Sequence, residues 1–214
     1  MPAARDDAVH VHSVQEEYFY LMVHCCACGG PWLSESQDID ESGPKVLHTV
    51  RGRCFKCRQE RRFRFTHDTR PDPKSPIRQI NATAEPSHAL DVAEWMDLAQ
   101  FYLERIERLK NPVERAQSLL DARQCIEEAV KFYGPGDDGV PASALWSDES
   151  RKKVSRRRDA FRRASLSQMI EKIPPMDRLR QADALEQKEF QKAVKDLARR
   201  KVGKWWQVWK RWGK

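Results

Sequence analysis

The sequence predicts an α+β protein: a small antiparallel sheet, then an all-helical region that opens with an antiparallel helical hairpin. Three observations predict it. Four cysteines stand in two Cys-x2-Cys pairs, Cys25/Cys28 and Cys54/Cys57, flanked by short segments rich in aromatic and β-favouring residues. A stretch holding Pro71, Pro73, Pro76 and Pro86 divides this part of the chain from the rest. Beyond it, apolar residues recur every three or four positions, the period of a helix with one buried face. Leu, Ile, Val and Phe make up 43 of 214 residues, about a fifth, where a core becomes hard to fill.

Residues 1–16 read as a flexible arm. Glu17–His24 is rich in aromatic residues and reads as a strand, and Cys25–Pro31 as a tight turn. Trp32–Gln37 reads as a return strand, residues 38–44 as a polar turn, and Lys45–Arg53 as a further strand. In Gln59–Thr66, Arg62 and Arg64 alternate with Phe63 and Phe65, the period of a half-buried strand. Residues 68–86 read as a Pro-rich linker.

Ser87 is the expected N-cap of an amphipathic helix carrying Val92, Met96, Ala99, Leu103, Ile106 and Leu109. Pro112 ends it, since the residue before a proline avoids helical geometry. Asn111 is then placed to cap a second helix with Pro112 at its first position, and Gly134-Pro135-Gly136 ends that helix. Residues 87–133 thus form the expected hairpin, with Cys125 as a small core residue. Residues 134–175 read as a loop and a basic helix, with Ser165 and Gln168 resembling a capping box. Residues 176–214 read as a basic, Trp-rich helix.

The cysteines carry the chemistry. Zn²⁺ takes four soft, deprotonated ligands in a tetrahedron. A two-residue spacer bends both sulfurs of a pair round one ion, so Cys25, Cys28, Cys54 and Cys57 make one structural site. Gly29 and Gly30 supply the backbone freedom such a turn needs. Structural zinc contributes ~10–16 kcal/mol in small finger peptides, enough to fold a module with little core. Cys26 is expected to point away as a spectator, competition for the ion being the alternative. His24 and His67 read as strand-end residues rather than ligands. A redox Cys-x-x-Cys is the rival reading, but such a pair sits at a helix N-terminus, whereas turn and strand residues follow both pairs here.

On Cys25, Cys28, Cys54, Cys57 and their glycines, residues 17–67 resemble a zinc ribbon, the four-cysteine module of transcription factors, RNA polymerase subunits and ribosomal proteins. The resemblance implies one bound zinc and leaves function open, since ribbons bind DNA, RNA and protein alike.

The net charge of +7 is uneven. It balances over residues 1–86, is −3 over 87–133 and +10 over 134–214. Arg51, Arg53, Lys56, Arg58, Arg61, Arg62 and Arg64 surround the second cysteine pair. Arg151, Lys152, Lys153, Arg156, Arg157, Arg158, Arg162 and Arg163 crowd one short stretch. Both groups suit phosphate backbones. The first equally offsets thiolate charge, and the second equally pairs with Asp91, Glu94, Asp97, Glu104 and Glu107. In the tail, Trp205, Trp206, Trp209 and Trp212 lie among Lys and Arg. That pattern suits a partner groove, stacked bases or a lipid headgroup layer.

No Gly-x-Gly-x-x-Gly, phosphate-binding Gly-Lys-Ser/Thr loop, His-Glu-x-x-His or Gly-x-Ser-x-Gly is present. The longest apolar run is six residues, against the ~20 of a membrane-spanning helix. The expectation is a non-enzymatic accessory or adaptor in the reducing cytoplasm. It binds nucleic acid or a nucleoprotein assembly, with no small-molecule substrate. A protein–protein module, or membrane attachment through the tail, is the alternative.

Overall fold

The computed structural model describes residues 8–70 and 80–175. Five helices and a four-stranded sheet follow in the order β1 (Val9–His10), α1 (Val14–Val23), β2 (Trp32–Asp40), β3 (Val46–Cys54), β4 (Glu60–His67), α2 (Val92–Arg108), α3 (Pro112–Lys131), α4 (Asp148–Arg156) and α5 (Arg163–Lys172). The spatial strand order is β1-β4-β3-β2.

The sheet is mixed, a correction to the purely antiparallel expectation. β2, β3 and β4 pair antiparallel, but β1 lies parallel to β4, with Val9 opposite Phe65. The added strand comes from residues expected to belong to a flexible arm. Val11, fully buried, extends the edge by donating its N–H to the Thr66 carbonyl at 2.9 Å.

A second correction concerns residues 17–24: Glu17–Val23 belong to α1 and His24 caps it, where a strand is expected. Ser13 is extended and accepts the Glu16 N–H on its hydroxyl, while the Glu16 carboxylate takes the His12 N–H at 2.6 Å. Tertiary contacts then outweigh the β preference of Tyr, Phe and Val. A strand has two faces; this segment must serve three directions. Phe19 packs edge-on to Trp95 and Tyr102, and Tyr20 packs on Phe63 and Phe65 of the sheet. Glu16 turns back to His12.

β2 is an edge strand and exposed beyond Trp32. Its register against β3 shifts between Ser34 and Ser36, leaving Glu35 as an extra residue. In β3 and β4 the alternation is sharp. His48, Val50, Gly52, Cys54, Phe63, Phe65 and His67 face inward, while Arg51, Arg62 and Arg64 face solvent.

α2 begins one turn later than expected. Asp91, not Ser87, is its N-cap, in a reciprocal pair with Glu94. Ser87 instead accepts the Ala89 N–H, in a turn that buries Ala89 and Leu90. Asn111 caps α3 with Pro112 at the first position. α2 and α3 pack on one another, and Cys125 is fully buried in that core, where burial pushes its thiol up.

The basic stretch is interrupted. A 3-10 turn at Arg158–Phe161 separates α4 from α5, pinned by the buried Phe161 and by the Tyr133 hydroxyl, which donates to the Phe161 carbonyl. Ser165 forms no capping box; it lies inside α5 with its hydroxyl on the Asp159 carbonyl. Arg123 of α3 donates to the Ile170 and Ile173 carbonyls, fastening the end of α5.

Part of the expected linker is packed. Ile80 is 1% exposed, donates its N–H to Gln124 and accepts the Ser13 hydroxyl. Residues 71–79, and the expected C-terminal helix over 176–214, lie outside the described residues. One apolar cluster runs from Val11 and Phe65 through Phe19 and Trp95 to Leu166, so sheet and helices share a core. Among the described residues, no helix is long and apolar enough to cross a membrane.

Phe19 joins the layers, so Phe19→Ala should cost about 3–5 kcal/mol, with helical and near-UV signals melting together in one urea transition. A helical signal that survives the change untouched would refute the shared core. Glu128 of α3 is buried and its carboxyl is pushed up to about 7 by desolvation, against the opposing pull of Lys131 and Asn81. A raised carboxyl binds its proton more tightly folded than unfolded. Its stabilising contribution is complete below the ordinary value of 4.5 and is lost as pH rises through about 7. Glu128→Gln should therefore flatten the decline of the urea midpoint over that window, removing a slope worth up to about 3 kcal/mol. Coincident pH profiles for the two proteins would contradict this.

Candidate metal centre and basic cleft

Two turns converge at the end of the sheet. The first follows α1: the Gly29 N–H closes on the Cys26 carbonyl at 2.7 Å, and the Cys26 N–H donates to Gly30 at 3.1 Å. Gly29 has a φ of +69°, which glycine adopts without strain. The second turn follows β3, where the Arg58 N–H returns to the Cys54 carbonyl at 3.0 Å. The Phe55 N–H donates to the Pro31 carbonyl and ties the turns together. Gly30 is needed at the junction, because a Cβ there would lie 2.6 Å from the Cys54 sulfur.

This arrangement brings Cys26, Cys28, Cys54 and Cys57 together, their sulfurs all within 4.8 Å of one another. The Cys26–Cys57 and Cys28–Cys54 separations are 3.5 and 3.4 Å. Tetrahedral zinc with bonds of ~2.3 Å sets its sulfurs roughly 3.8 Å apart, so the cluster fits such an ion with small adjustments. No disulfide joins these cysteines. Burial alone would push the Cys54 thiol up. The backbone N–H groups of Cys57 and Lys56 and the Cys28 and Cys57 thiols bring it instead to about 6, the range of a thiolate at neutral pH.

The four sulfurs that meet differ at one position from the set read from sequence. Cys28, Cys54 and Cys57 are in the cluster, but Cys26 takes the place expected for Cys25. The Cys25 sulfur is exposed and turned to the Met22 carbonyl at 3.2 Å. The cause lies in α1. Its end fixes Cys25 beside the last helical turn, and the bend toward the second pair starts only at Cys26. A reader who takes the segment as a strand has no cue for this.

His24 and His67 are not in the cluster. His24 lines a cleft, 3.8 Å from the Glu94 carboxylate, and burial holds its pKa low, assisted by Arg61. His67 is buried against Glu17.

The basic residues divide into committed and uncommitted groups. Arg53 pairs with Glu35 and Glu60 at 2.9 and 3.1 Å. Arg58, at a φ of 64°, lies over the Phe55 ring, and Lys56 is exposed beside the first turn. Arg51 stands directly opposite Arg62 on the outer sheet face, and Arg64 opposite Thr49. In the second stretch, Arg151 is held by Asp148 and the Leu145 carbonyl, and Lys153 by Asp97. Arg162 pairs with Asp138, and Arg163 donates to the Gly134 carbonyl. Arg158 is exposed at the 3-10 turn.

Arg61, Lys152, Arg156 and Arg157 line a cleft of about 1240 Å³ between α1, β4, α2 and α4, with Trp146 among its lining residues. Four acids, Asp91, Glu94, Asp97 and Glu149, line it as well. Asp91 and Glu94 cap α2, and Asp97 holds Lys153. Burial, then the charges of Asp91 and Glu149, push Glu94 up to about 7, against the Asp91 N–H. The sequence separates Arg61 from Arg156 by most of the helical region, so nothing local in it signals this meeting. Trp205, Trp206, Trp209 and Trp212 lie outside the described residues.

Comparisons with protein-family models, curated proteins and solved structures find no match to this chain.

Cys26→Ser should cost the thiolate cluster its metal in a zinc titration, whereas Cys25→Ser should bind as the parent does. The reverse order would restore Cys25 to the ligand set.

Proposed function

We propose that this chain is a non-enzymatic accessory or adaptor protein that binds nucleic acid or a nucleoprotein assembly. In this reading Cys26, Cys28, Cys54 and Cys57 hold one structural zinc, in the manner of a zinc ribbon. The ion supplies no reaction; it fixes the two turns and so the end of the sheet that carries the arginines. A reducing compartment such as the cytoplasm keeps the thiols available.

The observation that carries the reading is the cleft. It brings Arg61 and the α4 side chains Lys152, Arg156 and Arg157 to one cleft, with Trp146 beside them and the acids Asp91, Glu94, Asp97 and Glu149 in the same lining. Among the described residues these four cations form no ion pair, unlike Arg151, Lys153 and Arg162. The Arg51–Arg62 pair supports it further. Like charges directly opposed across a sheet destabilise it, and a bound polyanion removes that cost. Contacts of this type grip phosphates and carry little sequence information.

A second reading, protein docking without nucleic acid, draws on the exposed rings of Tyr18 and Phe101. Salt separates the two. Affinity for single-stranded RNA or DNA should fall steeply between about 50 and 200 mM salt. Arg156→Glu with Arg157→Glu should weaken binding at least tenfold at low salt and leave the zinc content unchanged. A flat salt response, or binding that ignores the double substitution, would favour docking instead.

A further inference from the structure

A second group of ligand-type side chains lies away from the thiolates. Glu17 leaves α1 toward the sheet and meets His48 of β3 and His67 of β4. His48 Nδ1 is 2.7 Å and His67 Nε2 2.5 Å from the same oxygen, Glu17 Oε1. All three side chains are 3–4% exposed. We infer that Glu17, His48 and His67 form a second metal site, which takes a divalent zinc ion through Oε1, Nδ1 and Nε2.

Charge is the first argument. A carboxylate this deep needs compensating positive charge. Glu17 is such a carboxylate, 4% exposed. Among the described residues it forms no ion pair with Lys or Arg; its partners are the two imidazoles. A divalent cation held by all three groups supplies positive charge at the carboxylate.

Geometry is the second. The three donor atoms come from three separate elements and lie within 4.8 Å of one another. Zinc at ~2.0–2.1 Å from each sets them about 3.3 Å apart, less than an ångström beyond their present contacts. Two imidazoles and one carboxylate suit zinc better than calcium or magnesium, which prefer all-oxygen shells. One enclosed water completes the tetrahedron.

The ion is structural: it clamps α1 to the two central strands. The site shares no ligand with the thiolate cluster and stands whether or not the chain binds nucleic acid.

The test uses the full-length protein purified from zinc-supplemented cells, with metal counted by native mass spectrometry and the zinc shell read by X-ray absorption. The expected result is about two zinc ions per chain, with a shell mixing sulfur with nitrogen and oxygen in near-equal share. His67→Gln should drop the count by one and leave a shell of sulfur alone. Cys54→Ser should drop it by one and leave nitrogen and oxygen alone. A single zinc with nitrogen and oxygen only also supports this site, while overturning the thiolate one. A parent protein with an all-sulfur shell overturns the inference, and that reading needs no variant to fold. Two ions that both persist in folded His67→Gln overturn it as well.

Discussion

Helix α1 answers to two surfaces at once, and the arrangement of the protein depends on its doing so. Through Glu17 and Tyr20 it faces β3 and β4; through Phe19 it faces α2. Neither the small sheet nor the helices bury enough apolar surface alone in a chain this polar. A ten-residue helix between them lets both draw on one core. Its polar side chains are placed by the same demand. Glu17 enters the interior only because two imidazoles meet it, and Glu16 only because the His12 N–H and ring do.

Much of this was legible from residue patterns. The alternation of Arg62 and Arg64 with Phe63 and Phe65 specified a half-buried strand, and β4 has that form. Asn111-Pro112 specified a cap and a helix start, both of which occur. Two cysteine pairs pointed to one cluster, and three of its four members were identified. What escaped depends on distant contacts. α1 carries β-favouring residues, and only the sheet and α2 together make a helix the better answer. Cys26 displaces Cys25 because of where that helix ends. The Ser87 and Ser165 caps failed because local hydroxyl chemistry was satisfied elsewhere, on Ala89 and Asp159. The parallel pairing of β1 joins residues far apart in sequence, which no local pattern encodes.

Charge is arranged by the same economy of position. Basic residues also stand beside the cysteine cluster, with Lys56 next to Gly29 and Arg58 over the Phe55 ring. Further along, α4 uses Arg151 and Lys153 to tie itself to the Leu145 carbonyl and to Asp97, and pairs Arg151 with its own Asp148. The fold therefore consumes part of its basic stretch as mortar. Lys152, Arg156 and Arg157 are left, with Arg61 from the sheet, to line the cleft.

The outer edge of the sheet has its own consequence. β2 leaves a row of backbone groups open to solvent, the usual invitation for another chain to add a strand. Glu35 bulges from that row, and Asp38 and Asp40 stand further along it. A strand from a second molecule would lose step at the bulge and bring like carboxylates together. The edge thus resists fibre-like stacking of one molecule on the next.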